Sequence, residues 1–324
     1  MRNLLPKRQI DIYGMDLLKI TLIFLLLLSC KEDKEKNVLK DPLSEQAIAF
    51  VSDRDGNPDI YLINADGENL VNLTRHDSLD FSPSWSADGS TLFFYSKRDG
   101  NAEIYKMSLQ DQNPEQLTQH PAADVLPAVS PDGNSILFMS DRETGSRNVH
   151  IMNADGSKPR ALTNNDTYEE SPSWSPDGKQ ILFTRQLRDS ADTSHAGNGE
   201  IHIMDADGKN IRRLTYKDGY DSGAKYAPDG SSIAFYGSTA DRWDIFLMNA
   251  DGSNVQNLTN DSIESYSPDW SPDGKWIVYT AGYRGNYNIW KINISTEEKF
   301  QLTDTKGRNE SPSWRKVSPG KNEN

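Results

Sequence analysis

Ser171-Pro-Ser-Trp-Ser-Pro-Asp-Gly178, running on into Lys179-Gln-Ile-Leu-Phe-Thr184, is the stretch on which the fold is decided. Its Asp177-Gly178 pair stands between two apolar runs, where glycine accepts the positive φ that a tight hairpin needs. Downstream come a polar loop, the apolar run Glu200-Ile-His-Ile-Met-Asp205, a second turn at Ala206-Asp-Gly-Lys209, and Asn210-Ile-Arg-Arg-Leu-Thr215. That is four short β-rich segments separated by turn chemistry. Nothing after residue 40 sustains a helical period.

The unit recurs along the chain. Leu-Thr starts at residues 73, 117, 162, 214, 258 and 302, so successive steps are 44, 45, 52, 44 and 44. Asp-Gly starts at 88, 132, 177, 229 and 273, with steps of 44, 45, 52 and 44. Two markers share one register, including the longer third step. Four strands in about 44 residues is the size of a propeller blade. The first repeat begins at Ala47-Ile-Ala-Phe-Val-Ser52 without a preceding Ser-Pro-x-Trp strand, and the last such strand, Ser311-Pro-Ser-Trp314, has no repeat after it. The C-terminal strand is therefore expected to complete the N-terminal blade and remove both open edges. This predicts an all-β, six-bladed β-propeller over residues 45–318, with four antiparallel strands per blade and a disordered tail at 319–324.

The remaining chain reads as an address. Lys19 precedes the apolar run Ile20–Leu28, followed by Ser29 and Cys30, the only cysteine. A basic flank, a short apolar core and a small residue make a signal peptide over 1–29. Leu27-Leu28-Ser29-Cys30 resembles the bacterial lipobox, in which the cysteine is lipidated. Met15 is an alternative start. The charged run Lys31–Asn37 reads as a solvated tether within 30–44, and Lys31-Glu32-Asp33 as either a plain spacer or a surface-export signal. The expected location is the bacterial cell envelope, lipid-anchored, facing the periplasm or exposed on the outer membrane. A net charge of −13 argues against nucleic acid as partner. A single cysteine excludes an internal disulfide or a cysteine metal site. The chain reads as a monomer.

Ser171–Gly178, and its close copies Ser82–Gly89 and Ser267–Gly274, resemble the repeat of the TolB-type propeller family. Ser52–Asn57 and Ile60–Gly67 are similar to the rest of that repeat. The resemblance spans roughly residues 45 to 315. It implies binding of peptides from other envelope proteins at the mouth of the central channel, with calcium known in the acidic channels of that family. The N-terminal α/β domain that precedes some of these propellers is not read here, and the expected lipid anchor also departs from the soluble periplasmic pattern.

Residues just before each Pro-x-Trp strand should converge on one mouth. Aligned there are Asp80, Asp124, Glu169, Asp221, Ser265 and Asn309, with Glu170, Glu264 and Glu310 beside them. Two readings stand. Either these acids form an electronegative site for a cation or a Lys/Arg-rich peptide, or they hydrogen-bond neighbouring loops and hold the blades together. The oversized loop Arg185–Gly199 falls on the same face, as a specificity element or as a tolerated insertion.

Trp85, Trp174, Trp270 and Trp314 are expected to pack between blades rather than to form a sugar platform. Asp53, Asp55 and Asp59 read as a hairpin turn more readily than as half a calcium loop. His150 and His202, mid-strand, read as packing residues. His76 and His120 occupy equivalent positions and are the only candidates for a transition metal. No Gly-x-Ser-x-Gly elbow and no phosphate-binding glycine loop is present. The favoured function is an envelope-anchored module binding a protein or peptide, without catalysis and without a cofactor other than calcium in the channel. The alternative is a metal-dependent, lyase-like carbohydrate-active enzyme or a sugar-binding propeller.

Overall fold

The computed structural model describes residues 47–187, 198–217, 219–239, 242–305 and 307–316. They form six antiparallel sheets of four strands each. The innermost strands are Asp80–Trp85, Asp124–Val129, Glu169–Trp174, Asp221–Tyr226, Glu264–Trp270 and Asn309–Trp314. Each touches the innermost strands of the two adjacent blades, which closes a ring. Asn309–Trp314 pairs with Ala47–Ser52, so the end of the chain supplies the inner strand of the first blade, as the sequence predicted.

Each marker in the repeat has a structural reason. The Asp of each Ser-x-Asp-Gly turn accepts the backbone N–H two residues on, as at Asp88 from Ser90 (3.0 Å), Asp177 from Lys179 (3.1 Å) and Asp273 from Lys275 (3.1 Å). The following glycine lies at positive φ, 67° at Gly89 and 70° at Gly178. The Ser-Pro dipeptide is a β-bulge: pairing with the second strand is interrupted between Phe81 and Ser84, between Glu170 and Ser173, and between Tyr266 and Asp269. Proline has no N–H to leave unpaired there, and the serine before it takes φ of 52–54°. The fifth blade uses Gly223 (φ 65°) in its place.

Leu-Thr is a clamp. In all six blades the threonine Oγ1 accepts a backbone N–H of the third strand, for example Ile104 to Thr118 and Ile289 to Thr303, both at 2.9 Å. The hydroxyl then donates to a buried acid or amide, such as Glu103 (2.6 Å) or Asn288 (3.0 Å). Apolar side chains collect in six clusters, most of them spanning two adjacent blades. Trp85, Trp174 and Trp270 contribute as expected. Each indole N–H donates to a carbonyl on the preceding inner strand: Ser313 (3.0 Å), Ala128 (3.1 Å) and Lys225 (3.0 Å).

Candidate binding site: the two ends of the channel

The six aligned inner-strand positions do meet at one end of the ring, but they do not form an open acidic mouth. Asp80, Asp124 and Glu169 are 0% exposed, and Asp221 and Asn309 are 1% exposed. Their partners come from the same blade. Arg98 donates to both oxygens of Asp80 (2.9 Å each) while its Nε binds Ser96 Oγ (3.0 Å). Arg142 repeats this with Asp124 (2.6 Å) and Ser140 (3.1 Å). Arg185 reaches Glu169 (2.7 Å), and Lys217 pairs with Asp221 (3.0 Å). Arg54 binds Asn309 (2.7 Å) and Ser52 (2.8 Å).

The burial and pairing of Asp80, Asp124, Glu169, Asp221 and Asn309 favour the second of the two readings, in which they hold the blades together. A carboxylate removed from water survives by hydrogen-bonding an adjacent cation, and these acids are blade fasteners. The sixth blade carries Ser265, also fully buried, where the others carry an acid or amide.

The next inner-strand position carries different chemistry. It holds Phe81, Val125, Glu170, Ser222, Tyr266 and Glu310. Glu170 accepts from Tyr220 (2.5 Å) and Ser222 (2.7 Å). Glu310 accepts from Arg308 (2.8 Å) and Tyr266 (3.2 Å), and Glu264 from Tyr287 (2.6 Å). Half-buried aromatic rings continue the surface edge-to-face: Tyr220 and Tyr236 on Trp243, Tyr236 on Tyr266, and Tyr266 on Tyr287. Burial pushes the Tyr95 hydroxyl up to about 12 and raises Tyr220, Tyr236 and Tyr266 as well, so these groups remain neutral donors. Of the predicted mouth acids, Glu264 and Glu310 thus belong to a tyrosine-rich surface.

His76 and His120 serve their own loops. Each Nδ1 accepts a backbone N–H two residues on, Ser78 and Ala122, at 3.0 Å. Among the described residues no group of three or more His, Cys, Asp or Glu is placed to hold a metal ion. Asp53, Asp55 and Asp59 are taken up separately, by the Arg308 N–H, by Tyr61 and by Asn72. His150 is fully buried against Phe138, and His202 lies against Phe183, as packing residues. Cys30 and most of the 185–199 loop lie outside the described residues.

The other end of the channel widens into a cavity of about 390 Å³. Its wall is built from the Ser-Pro bulges and the residues after them, and prolines of the Ser-Pro-Asp-Gly turns surround its opening. Two lysines line it: Lys225, from the inner strand of the fifth blade, and Lys316, just after the inner strand of the first. The sequence reading passed over Lys225. The signal was its slot: the third residue of Ser-Pro-x-Trp is Ser84, Ala128, Ser173, Lys225, Asp269 and Ser313 around the ring.

A closed six-bladed ring with tyrosines at one end of its channel and a serine- and proline-lined cavity at the other is a propeller of the kind that presents loops and channel ends to ligands. Two stretches, residues 42–190 and 190–320, match the family described as TolB beta propeller domain, and the chain belongs to that family. The Tol-Pal system protein TolB of Desulfosudis oleivorans is 40% identical over 63 residues, which is 19% of this chain and 14% of that protein. Among solved structures, TolB from Acinetobacter baumannii superposes with a TM-score of 0.70 at 22% identity, over 83% of this chain and 66% of the other. Oligogalacturonate lyase from Vibrio parahaemolyticus shares the fold more loosely, with a TM-score of 0.54 at 18% identity, over 79% of this chain and 71% of the other.

Proposed function

We propose that this protein is an envelope-anchored binding module, and that it docks a protein or peptide through the tyrosine-rich end of its channel. The observation that supports this most is the surface made by Glu170, Glu264, Tyr220, Tyr266 and Tyr287. Tyrosines give rigid amphipathic contact area at low entropic cost, which is why they recur at binding hot spots. The carboxylates among them favour a partner that is cationic at the contact. Membership of the TolB-type family supports a partner from the envelope. The lipid on Cys30 would hold the module at the membrane.

The lyase-like alternative loses its support in the candidate ligands, because His76 and His120 each commit Nδ1 to a backbone N–H. The test is in-cell photocrosslinking from position 287, with the adduct identified by mass spectrometry. A Glu170→Gln/Glu264→Gln variant should lose at least about tenfold of that adduct while melting normally. Unchanged crosslinking in the variant would defeat the reading. Loss of fatty-acid labelling in Cys30→Ser would separately establish the anchor.

A further inference from the structure

We propose that the cavity at the opposite channel end is a binding site for a small organic carboxylate, seated on the Lys225 ammonium. The inference does not rest on the partner reading: its charged groups, Lys225 and Asp269, lie outside the tyrosine-rich surface, although Tyr236 borders both.

Lys225 is held at its backbone. Its carbonyl accepts the Trp270 indole N–H at 3.0 Å, and its strand is paired to Ala234 on the outer side. Its side chain lines the cavity, half-buried, and among the described residues its ammonium makes no hydrogen bond and no ion pair within 4.0 Å. Every other buried or half-buried cation discussed above, from Arg54 to Lys217, has an acceptor from its own blade. Burial lowers the Lys225 pKa, and the nearby Lys316 adds to this, while Asp269 acts in the opposite sense. An anion entering the cavity would supply the hydrogen bonds that the ammonium lacks.

The surroundings select the anion. Asp269 occupies the same slot in the next blade, where one of its oxygens accepts the Trp314 N–H at 2.8 Å. That fixed negative charge offsets one of the two lysines of the lining, Lys225 and Lys316, and so favours a single carboxylate over a dianion such as phosphate. Ser82, Ser267 and Ser313 line the same space, and a serine hydroxyl there can donate to the second oxygen. Pro83, Pro172 and Pro312 give the apolar wall against which a hydrocarbon body would lie. A volume of about 390 Å³ suits a small molecule.

The experiment is ligand-observed NMR on the full-length chain, with acetate, benzoate and cyclohexanecarboxylate as probes. Benzamide serves as the uncharged control and inorganic phosphate as the dianion. We expect benzoate to bind at least on the order of tenfold more tightly than benzamide. Lys225→Met should abolish this preference, and phosphate should bind more weakly than benzoate. Asp269→Asn keeps an acceptor for the Trp314 N–H and should tighten benzoate several-fold, which decides the matter if Lys225→Met fails to fold. Equal binding of benzoate and benzamide, retention of benzoate by a folded Lys225→Met, or no binding by any of the carboxylates would overturn the proposal.

Discussion

The two ends of the channel handle charge in opposite ways. At the end where the inner strands begin, four acids recur at one slot and each is neutralised by an arginine or lysine of its own blade. At the end where those strands finish, Lys225 occurs once, in a slot otherwise filled by serine, alanine or aspartate, and meets no acceptor. Recurrence at the first end marks framework. The same fastening recurs in four blades and is copied by Asn309 with Arg54 in a fifth, while Ser265 stands in the slot of the sixth. Departure from the repeat at the second end, at Lys225, has no such explanation in the framework.

This contrast can be broken most directly at a fastener. Arg98→Met leaves the Asp80 carboxylate buried without its cation and should cost about 3–5 kcal/mol in denaturant unfolding. Adding Asp80→Ser, which copies the Ser265 slot of the sixth blade, should recover much of that loss. If Arg98→Met costs less than about 1 kcal/mol, the paired end is not framework.

A smaller effect comes from pH. Burial raises the Glu200 carboxyl from 4.5 to about 7, outweighing the opposing effects of Thr215 and Arg213. The fold therefore prefers the protonated acid. Its contribution is complete below pH 4.5 and is lost as pH rises through 7, on the order of 2 kcal/mol across that window. Glu200→Gln should flatten this part of the profile of melting temperature against pH, and an unchanged profile would remove Glu200 as its cause. The smallest effect is expected at the other end. Trp270→Phe deletes the hydrogen bond to the Lys225 carbonyl and should cost about 1 kcal/mol. Benzoate affinity should fall with it if that bond positions the lysine.

The architecture was legible because its signals are local and repeated. Asp177-Gly178 specifies a turn from its own chemistry, and Ser311–Trp314 standing without a repeat after it announces the ring closure. The burial of Asp80 was not legible. Along a strand, neighbouring side chains face opposite sides, so a shift of one residue separates the channel from the blade interior. Here Asp80 meets Arg98 while Phe81, one residue on, lies against Tyr95 of the paired strand. The arginines that claim the acids sit 18 residues downstream in the Asp80 and Asp124 blades. Only the folded sheet brings them back. Lys225 was hidden for a different reason: attention to what the blades share passes over the residue that one blade alone carries.

The seam at Asn309–Trp314 also fixes a timetable. Ser52 hydrogen-bonds Asn309 across 257 positions, so the portion synthesised early waits with a bare edge until that strand has been made. Contacts of such separation form slowly. Removing Asn309–Trp314 would therefore injure the blade that was made first.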